Sequence, residues 1–335
     1  MPAPSYLPSM TLRQYLGHLA ADHPHWHRLL DPRRVGCAAT MRRLHSPGAG
    51  DGSACTGRGD TDRSARQDPP ADWTGTRRLL HLAAPARQAP LVLDVLGGDG
   101  RVARAVAARP EQVPGGPAVL TGDRSGPMVA AALAHGLPAV RQSADRLLLA
   151  DRTVDGVLLA RGTHHIPLDA RPRAVAEAVR VLRPGGRVVL HDYEPHSPTA
   201  AFFRAVVDPH CSGGHDHPHF TRTELLDLFA PHPVAVRLVD VYDPVTVRAA
   251  SPEAAKAAVV RYFGAAFGLD GRFAALGPEA GWDLLADAFD HTAHLAGLGS
   301  PLAAPARALI RPTATGYLAE VPRVALVAVA EHRRA

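Results

Sequence analysis

The histidines are the residues whose pattern in this chain most clearly points to chemistry. The 335 residues include 19 histidines, and three of them alternate at His215, His217 and His219. An extended segment turns alternate side chains to one face, and imidazoles grouped in this way suit Zn or Fe. In Asp290-His-Thr-Ala-His294 a further pair shares one helix face. We therefore predict a metal site with the ligands His215, His217, His219 and His291.

Three interpretations of the histidine segment stay open. Three ligands with open coordination positions are typical of a catalytic metal. Cys211 with two histidines would instead hold a structural zinc, and a polar solvated loop would hold no ion. The spacing matches no closed zinc-finger pattern. Cys37, Cys55 and Cys211 are an odd and widely spaced set, which indicates a reducing compartment rather than a disulfide framework.

A second stretch, Leu91-Val-Leu-Asp-Val-Leu-Gly-Gly-Asp-Gly100, has the pattern of a nucleotide-binding turn. Apolar residues around Asp94 predict a buried parallel strand that ends in glycines. Gly98 and Gly100 carry no Cβ atoms, so a ligand can approach the backbone and the N–H donors of the next helix. Asp123 follows 23 residues after Gly100, where a carboxylate can accept hydrogen bonds from ribose hydroxyls. Nicotinamide dinucleotides and S-adenosylmethionine both fit this pattern.

The elements that must position these residues alternate along the chain. Strands are predicted near 90–95, 118–121, 138–141, 154–160, 187–190, 234–241 and 323–329. Helices between them predict βαβ units and a parallel sheet. Residues 11–30 show the apolar spacing of amphipathic helices, and two more helices are predicted over about 251–267 and 278–298.

Composition excludes several classes of function. Basic residues exceed acidic ones by five, but the charge is scattered over arginines with Lys256 as the single lysine. We therefore expect a small-molecule substrate and no nucleic-acid partner. No window reaches the roughly 18 apolar residues of a membrane span, and no signal peptide is recognisable. We expect a cytoplasmic protein without membrane contact and leave a homodimer open.

Five motifs in order resemble those of class I S-adenosylmethionine-dependent methyltransferases. They lie within about residues 78–194 and are the glycine stretch, Asp123-Arg-Ser125, Val154-Asp-Gly-Val157, Thr163-His-His-Ile166 and Val181-Leu-Arg-Pro-Gly-Gly186. The resemblance implies an α/β fold, with a doubly wound, seven-stranded Rossmann-like sheet in the order 3-2-1-4-5-7-6. It also implies S-adenosylmethionine as cofactor.

The same resemblance implies the cofactor-binding residues. These are Asp94, Gly98, Gly100, Asp123, Arg124, Ser143, Ala144 and Asp145. Leu96 departs from the first glycine of the family's loop. Ser143 stands where the family has an acidic residue that contacts adenine, and we assign that contact to Asp145 because a carboxylate accepts hydrogen bonds more strongly.

The methyl acceptor should meet the residues that follow strands 4 and 5, because ligands bind beyond the carboxyl ends of parallel strands. The catalytic residues predicted there are His165, His191, Asp192 and Tyr193. Any of the last three is a candidate to remove a proton from a weakly acidic acceptor. The alternative is that these side chains only shape the pocket.

The overall layout, His191-Asp-Tyr-Glu-Pro195, the histidine segment and Asp243-Pro-Val resemble the α-keto acid C-methyltransferases of peptide-antibiotic pathways. This resemblance implies a metal, Zn or Fe, which would stabilise the enolate of a keto acid while its β-carbon receives the methyl group. The alternatives are an O-methyltransferase acting on a natural-product hydroxyl, and a non-catalytic cofactor-binding subunit.

The domain organisation follows from these elements. We predict an N-terminal helical segment over 1–45, a flexible linker over 46–76 and a methyltransferase core over 77–243 that includes the histidine segment. A helical lid insertion spans 244–320, and the final core strand and tail span 321–335. The alternative for the insertion is a dimerisation or stabilising subdomain.

Overall fold

The fold is described from a computed structural model that covers six ranges of the chain. They are residues 6–45, 73–86, 88–110, 116–210, 217–299 and 302–333. The predicted ligand His215 and the possible ligand Cys211 therefore lie outside the described residues, as do Cys55 and most of the predicted linker.

The N-terminal and central elements follow the predicted alternation. The helices are α1 (Leu12–Asp22), α2 (Pro24–His27), α3 (Ala38–His45), α4 (Trp73–Ala83), α5 (Arg101–Ala107), α6 (Gly126–Ala134) and α7 (Arg171–Val181). The strands are β1 (Leu91–Asp94), β2 (Ala118–Asp123), β3 (Ala139–Arg141), β4 (Val154–Leu159) and β5 (Leu182–Asp192). Two short 3-10 turns, Thr163–His165 and Leu168–Ala170, connect β4 to α7.

The C-terminal half carries the remaining elements. Its helices are α8 (Pro198–Phe202), α9 (Arg222–Phe229), α10 (Pro252–Phe267), α11 (Asp270–Ala288) and α12 (Thr292–Ala296). Its strands are β6 (Val234–Tyr242), β7 (Val245–Ala249), β8 (Leu309–Thr313), β9 (Gly316–Val321) and β10 (Val324–His332). A π-helical turn over Phe203–Val207 continues α8.

Seven strands form the main sheet in the order β3-β2-β1-β4-β5-β10-β6. The first five run parallel, and β10 is antiparallel to both β5 and β6. This confirms the predicted order 3-2-1-4-5-7-6, with β10 as the seventh strand. Because β1, β4 and β5 are parallel, their carboxyl ends meet at one edge of the sheet.

The burial of the central strands explains why their sequences are apolar. Residues of β1 and β4 are buried along their whole length, as expected for strands covered on both faces. The N-terminal helices extend one side of this core, where Tyr15 is fully buried and donates a 2.7 Å hydrogen bond to the carbonyl of Ala139. Helix α4 packs against β4 and β5, so the segment from Trp73 belongs to the fold although the sequence predicted a linker up to residue 76.

The insertion between β6 and β10 differs from its predicted helical form. Beside its helices it contains a three-stranded antiparallel sheet in the order β7-β9-β8. Helix α11 begins at Asp270, earlier than predicted, and has a kink at Gly277, where φ is +76° directly before Pro278. A second hydrophobic core of aliphatic and aromatic side chains is formed by the insertion together with α8 and the π-helical turn that continues it. Among the described residues, no helix combines the length and apolar character needed to cross a membrane.

Candidate active site

The carboxyl edge of the sheet brings together two histidines and a carboxylate that are far apart in sequence. His164 lies in the turn after β4, Asp192 ends β5, and His219 precedes α9. One potential ligand atom from each lies within 4.8 Å of the others, and all three residues are buried. Within the described part of the chain this is the one group of three or more such residues that could hold a metal ion. We call it the His-Asp-His cluster.

Asp192 is the centre of this cluster. Its Oδ1 lies 2.7 Å from Nδ1 of His219, and its Oδ2 lies 3.2 Å from Nδ1 of His164. The hydroxyl of Thr163 and the backbone N–H of Tyr193 donate to the same carboxylate at 2.5 and 2.7 Å. Burial alone would raise the pKa of Asp192, but His164 and His219 hold it well below its usual range. The carboxylate is therefore ionised at neutral pH.

Arg171 fixes the two histidine-bearing segments relative to each other. Its guanidinium is 2% exposed, donates to the carbonyl oxygens of Ile166 and Pro218, and pairs with Glu224 at 2.7 Å. It also stacks on the ring of Phe220 at 3.8 Å. The segments of His164 and His219 are therefore both hydrogen-bonded to one rigid, planar cation.

The structure brings only part of the predicted metal set to this cluster. His219 belongs to it, and the ring of His217 lies 4.8 Å from that of His165 instead. His291 is fully buried in the insertion, where its Nδ1 hydrogen-bonds the carbonyl of Phe289 at 2.9 Å. Burial lowers the pKa of His291 to about 4. The structure thus does not place His291 in the His-Asp-His cluster, because its ring is held by the carbonyl of Phe289 and lies beside the rings of Phe289 and His294.

Of the predicted catalytic residues, Asp192 enters the cluster and the other three surround it. The ring of His165 lies 4.4 Å from that of His164. His191 is 1% exposed, neither of its ring nitrogens has a hydrogen-bond partner, and its Nε2 lies 3.8 Å from Oδ2 of Asp243. Burial raises the pKa of Tyr193, so its phenol stays protonated and faces Asp243 as a donor at 3.4 Å. Tyr193 is therefore poorly suited to be a base.

The glycine stretch forms a tight turn against β2. Gly98 and Gly100 have φ values of +56° and +83°, which favour glycine. A Cβ on Gly98 would meet open space, whereas one on Gly97 would lie 2.8 Å from the side chain of Thr121. Asp123 accepts the N–H of Gly98 at 2.9 Å and that of Ser125 at 2.8 Å. The turn thus exposes backbone beside an oriented carboxylate, which fits the ribose and methionine portions of S-adenosylmethionine.

The remaining predicted cofactor residues lie along β2 and after β3. Ser143 donates a 2.6 Å hydrogen bond to Asp145, whose carboxylate also pairs with Arg173 at 3.4 Å. Ala144 between them is buried, and the carbonyl of Arg124 accepts from Arg141. The sequence did not single out the neighbouring Gln142. This side chain is fully buried. Its Oε1 accepts the N–H of Leu148 at 2.9 Å, and its Nε2, which has no hydrogen-bond partner, lies against Gly122 of β2.

Asp94, the last residue of β1, lies next to the glycine turn. It is 3% exposed, and burial together with the nearby Asp123 raises its pKa from 3.8 to about 7. The neutral carboxyl is therefore the favoured form in the folded protein below about pH 7. Its contribution to the free energy of unfolding is fully present below pH 3.8 and is lost as the pH rises through about 7.

We expect Asp94→Asn to raise the melting temperature of the ligand-free protein at pH 8 by about 4 °C or more, since asparagine cannot ionise. The gain should shrink toward pH 4 and vanish there. Thermal melts of both proteins across this range measure it. Asp151→Asn, at a carboxylate that is 70% exposed, is the matched control and should show no such trend. A constant difference between Asp94→Asn and the natural protein at every pH would contradict the assignment.

Part of the chain is similar to a known protein family. Residues 93–190 match a family model described as a methyltransferase domain. No curated protein matches the chain. Solved structures that resemble it include the YcgJ protein of Bacillus subtilis, at 17% identity and a TM-score of 0.46, over 78% of this chain and all of that one. A methyltransferase of Methanosarcina mazei shows 14% identity and a TM-score of 0.42, over 74% and 95%.

A third similar structure is phosphoethanolamine N-methyltransferase 2 of Haemonchus contortus in complex with phosphomonomethylethanolamine and S-adenosylhomocysteine. It shares 15% identity at a TM-score of 0.46, over 78% of this chain and 53% of that one. The assignment rests on the domain match, which covers β1 to β5, and on the sheet order with its antiparallel seventh strand. Residues 93–190, which run from β1 into β5, therefore form a methyltransferase domain.

Proposed function

We propose that the enzyme methylates the β-carbon of a small α-keto acid with the help of a metal ion held by His164, Asp192 and His219. The observation that carries the proposal is the buried His-Asp-His cluster at the carboxyl ends of β4 and β5. Acceptors of methyltransferases with this sheet bind at that edge. Two imidazoles and one carboxylate with further positions open are the donor set of a catalytic iron or zinc site.

The cluster fits a metal ion in its chemistry as well as its spacing. Asp192 is ionised, and His164 and His219 each have a second ring nitrogen beyond the one that faces Asp192. Hydrogen bonds from Thr163 and the backbone of Tyr193 orient the carboxylate, as is usual for the partners of metal ligands. When bound, the metal would act as a Lewis acid that makes the hydrogens next to a carbonyl more acidic.

The proton must then pass to a group of the chain. We assign this to His191, because its ring is buried without a hydrogen-bond partner and would gain Asp243 as a counter-ion at 3.8 Å once protonated. The C–H electron pair becomes the carbon–carbon double bond of the enolate, while the π electrons of the keto group move onto its oxygen and return when the β-carbon attacks. The β-carbon then forms the new bond to the methyl group, while the electrons of the broken S–CH3 bond remain on sulfur.

A second function is favoured by one specific contact. The 2.7 Å hydrogen bond between Nδ1 of His219 and Asp192 is the arrangement in which a carboxylate orients a histidine base. With the other ring nitrogen facing an acceptor, His219 would remove the proton of a hydroxyl group, and the enzyme would be a metal-independent O-methyltransferase.

Metal removal separates these two functions. After exhaustive chelation we expect methyl transfer to phenylpyruvate, as a representative keto acid, to fall by about 100-fold or more, and to return with Fe or Zn. His219→Ala should lose the bound metal, measured by elemental analysis. His217→Ala is the matched control from the same segment and should keep it. Full activity in the chelated enzyme would contradict the metal role and favour the histidine base.

A further inference from the structure

Three arginines from separate elements meet beside the methyl-transfer site. Arg101 is the first residue of α5 and follows the glycine turn, Arg161 follows β4, and Arg323 precedes β10. Tyr262 of α10, in the insertion, lies against Arg101. These residues share no local sequence motif, because they are 60 or more positions apart along the chain.

Their contacts show that the side chains converge. Nη2 of Arg101 lies 3.4 Å from the hydroxyl of Tyr262. Arg323 is 11% exposed and donates to Oδ2 of Asp243 at 3.0 Å. Arg161 is 21% exposed, and its Nη2 lies 4.0 Å from Oδ1 of the same carboxylate. Asp243 is thus shared by two of the guanidinium groups.

The pKa of Tyr262 indicates the electrostatic potential beside these arginines. Burial raises the pKa of a phenol, and it does so for Tyr193. For Tyr262 the charges of Arg101, Arg323 and Arg161 outweigh burial, and its pKa is lowered. A phenol whose ionised form is stabilised in this way marks a region of positive potential.

Buried polar atoms next to the arginines lack hydrogen-bond partners. Oδ1 of Asp243 and both ring nitrogens of His191 are in this state, with side chains 2% and 1% exposed. Buried polar groups without partners are costly, and in natural proteins such groups commonly mark the place of a ligand or an ordered water. Oδ1 of Asp243 lies against Gly75 and calls for a donor, so the imidazole nitrogens of His191 are the groups here that a polar ligand would satisfy.

We propose that Arg101, Arg161 and Arg323 form a carboxylate-binding subsite beside the methyl-transfer centre. The planar guanidinium group matches the two oxygens of a carboxylate better than any other side chain. Two sources share this chemistry, the methionyl carboxylate of the cofactor and the carboxylate of the acceptor. Arg101 adjoins the glycine turn, and Arg161 precedes the turn that carries His164, so the subsite lies between both. The acceptor source rests on the proposed function, whereas the cofactor source does not.

Calorimetric binding with three probes tests the subsite. S-adenosylhomocysteine carries the methionyl carboxylate, methylthioadenosine lacks it, and phenylpyruvate, added with S-adenosylhomocysteine present, carries the acceptor carboxylate. The variants are Arg101→Gln and Arg161→Gln, which remove the charge and keep most of the side chain. Arg261→Gln is the matched control, because Arg261 is exposed on α10 next to Tyr262.

A loss of about tenfold or more in affinity for S-adenosylhomocysteine, with methylthioadenosine unchanged, would show that the subsite holds the cofactor carboxylate. A loss of the same size for phenylpyruvate alone would show that it holds the acceptor. Unchanged affinities, or equal losses for both adenosine probes, would overturn the subsite. If the affinities are unchanged but the enzyme C-methylates keto acids, the subsite is wrong and the proposed function is retained. If the variants show a selective loss but the enzyme never methylates keto acids, the subsite is retained and the proposed function is wrong.

Discussion

Asp192→Asn is expected to lower kcat by about two to three orders of magnitude. Asparagine keeps the size of the side chain but replaces one carboxylate oxygen with an NH2 donor. The oxygens of Asp192 accept hydrogen bonds from His164, His219, Thr163 and the backbone of Tyr193. The NH2 group of asparagine cannot accept these hydrogen bonds and would face other donors. Initial rates at saturating cofactor and phenylpyruvate measure the effect, and elemental analysis measures the accompanying loss of metal.

The control for this variant lies near the same turn. Asp169 is 81% exposed and pairs only with Arg173 at 3.6 Å among the contacts of the described residues, so Asp169→Asn should keep the natural rate. Retained binding of S-adenosylhomocysteine by Asp192→Asn would show that its cofactor site is still folded. An Asp192→Asn enzyme with more than half of the natural kcat would rule out a central role for the cluster.

The second large effect concerns the cofactor. Asp123→Ala is expected to weaken S-adenosylhomocysteine binding by about 100-fold, because two charge-assisted hydrogen bonds to the ribose hydroxyls would be lost. The same carboxylate holds the N–H groups of Gly98 and Ser125, so its removal also loosens the glycine turn. Titration calorimetry gives the dissociation constant directly.

Two further variants calibrate this result. Asp123→Asn keeps one acceptor oxygen and should show an intermediate loss. Asp151→Ala removes an exposed carboxylate that pairs with Arg180 and should bind like the natural protein. Equal affinities of Asp123→Ala and Asp151→Ala would mean that the cofactor does not use the carboxyl end of β2.

The sheet was predictable because local pattern and family motifs pointed to the same strands. Buried β1 and β4 are continuous apolar runs, and such runs between turn residues predict parallel strands. The three-stranded sheet of the insertion was missed. Its central pairing joins Val245 to Val321, far apart in sequence, and Pro312 lies in the edge strand β8, where proline weakens a strand prediction.

The candidate site was predictable in part. The alternation of His217 and His219 signalled a histidine cluster, and the strand ends signalled Asp192, but only the fold shows that His164 completes the group. The prediction for His291 relied on helix spacing, whereas its ring is anchored by the turn at Phe289. Arg171 and the arginines around Asp243 carry no local motif. Their importance comes from tertiary contacts across more than 50 residues, which periodicity does not encode.

The most direct test of the central claim is the fate of the methyl group. Metal-loaded enzyme is incubated with S-adenosylmethionine labelled with carbon-13 in its methyl group and with phenylpyruvate, and the product is examined by NMR. The account predicts a labelled methyl carbon bonded to the β-carbon, next to the keto group, together with an equivalent of S-adenosylhomocysteine. Label bonded to oxygen, or no labelled product from enzyme that binds both metal and cofactor, would contradict it.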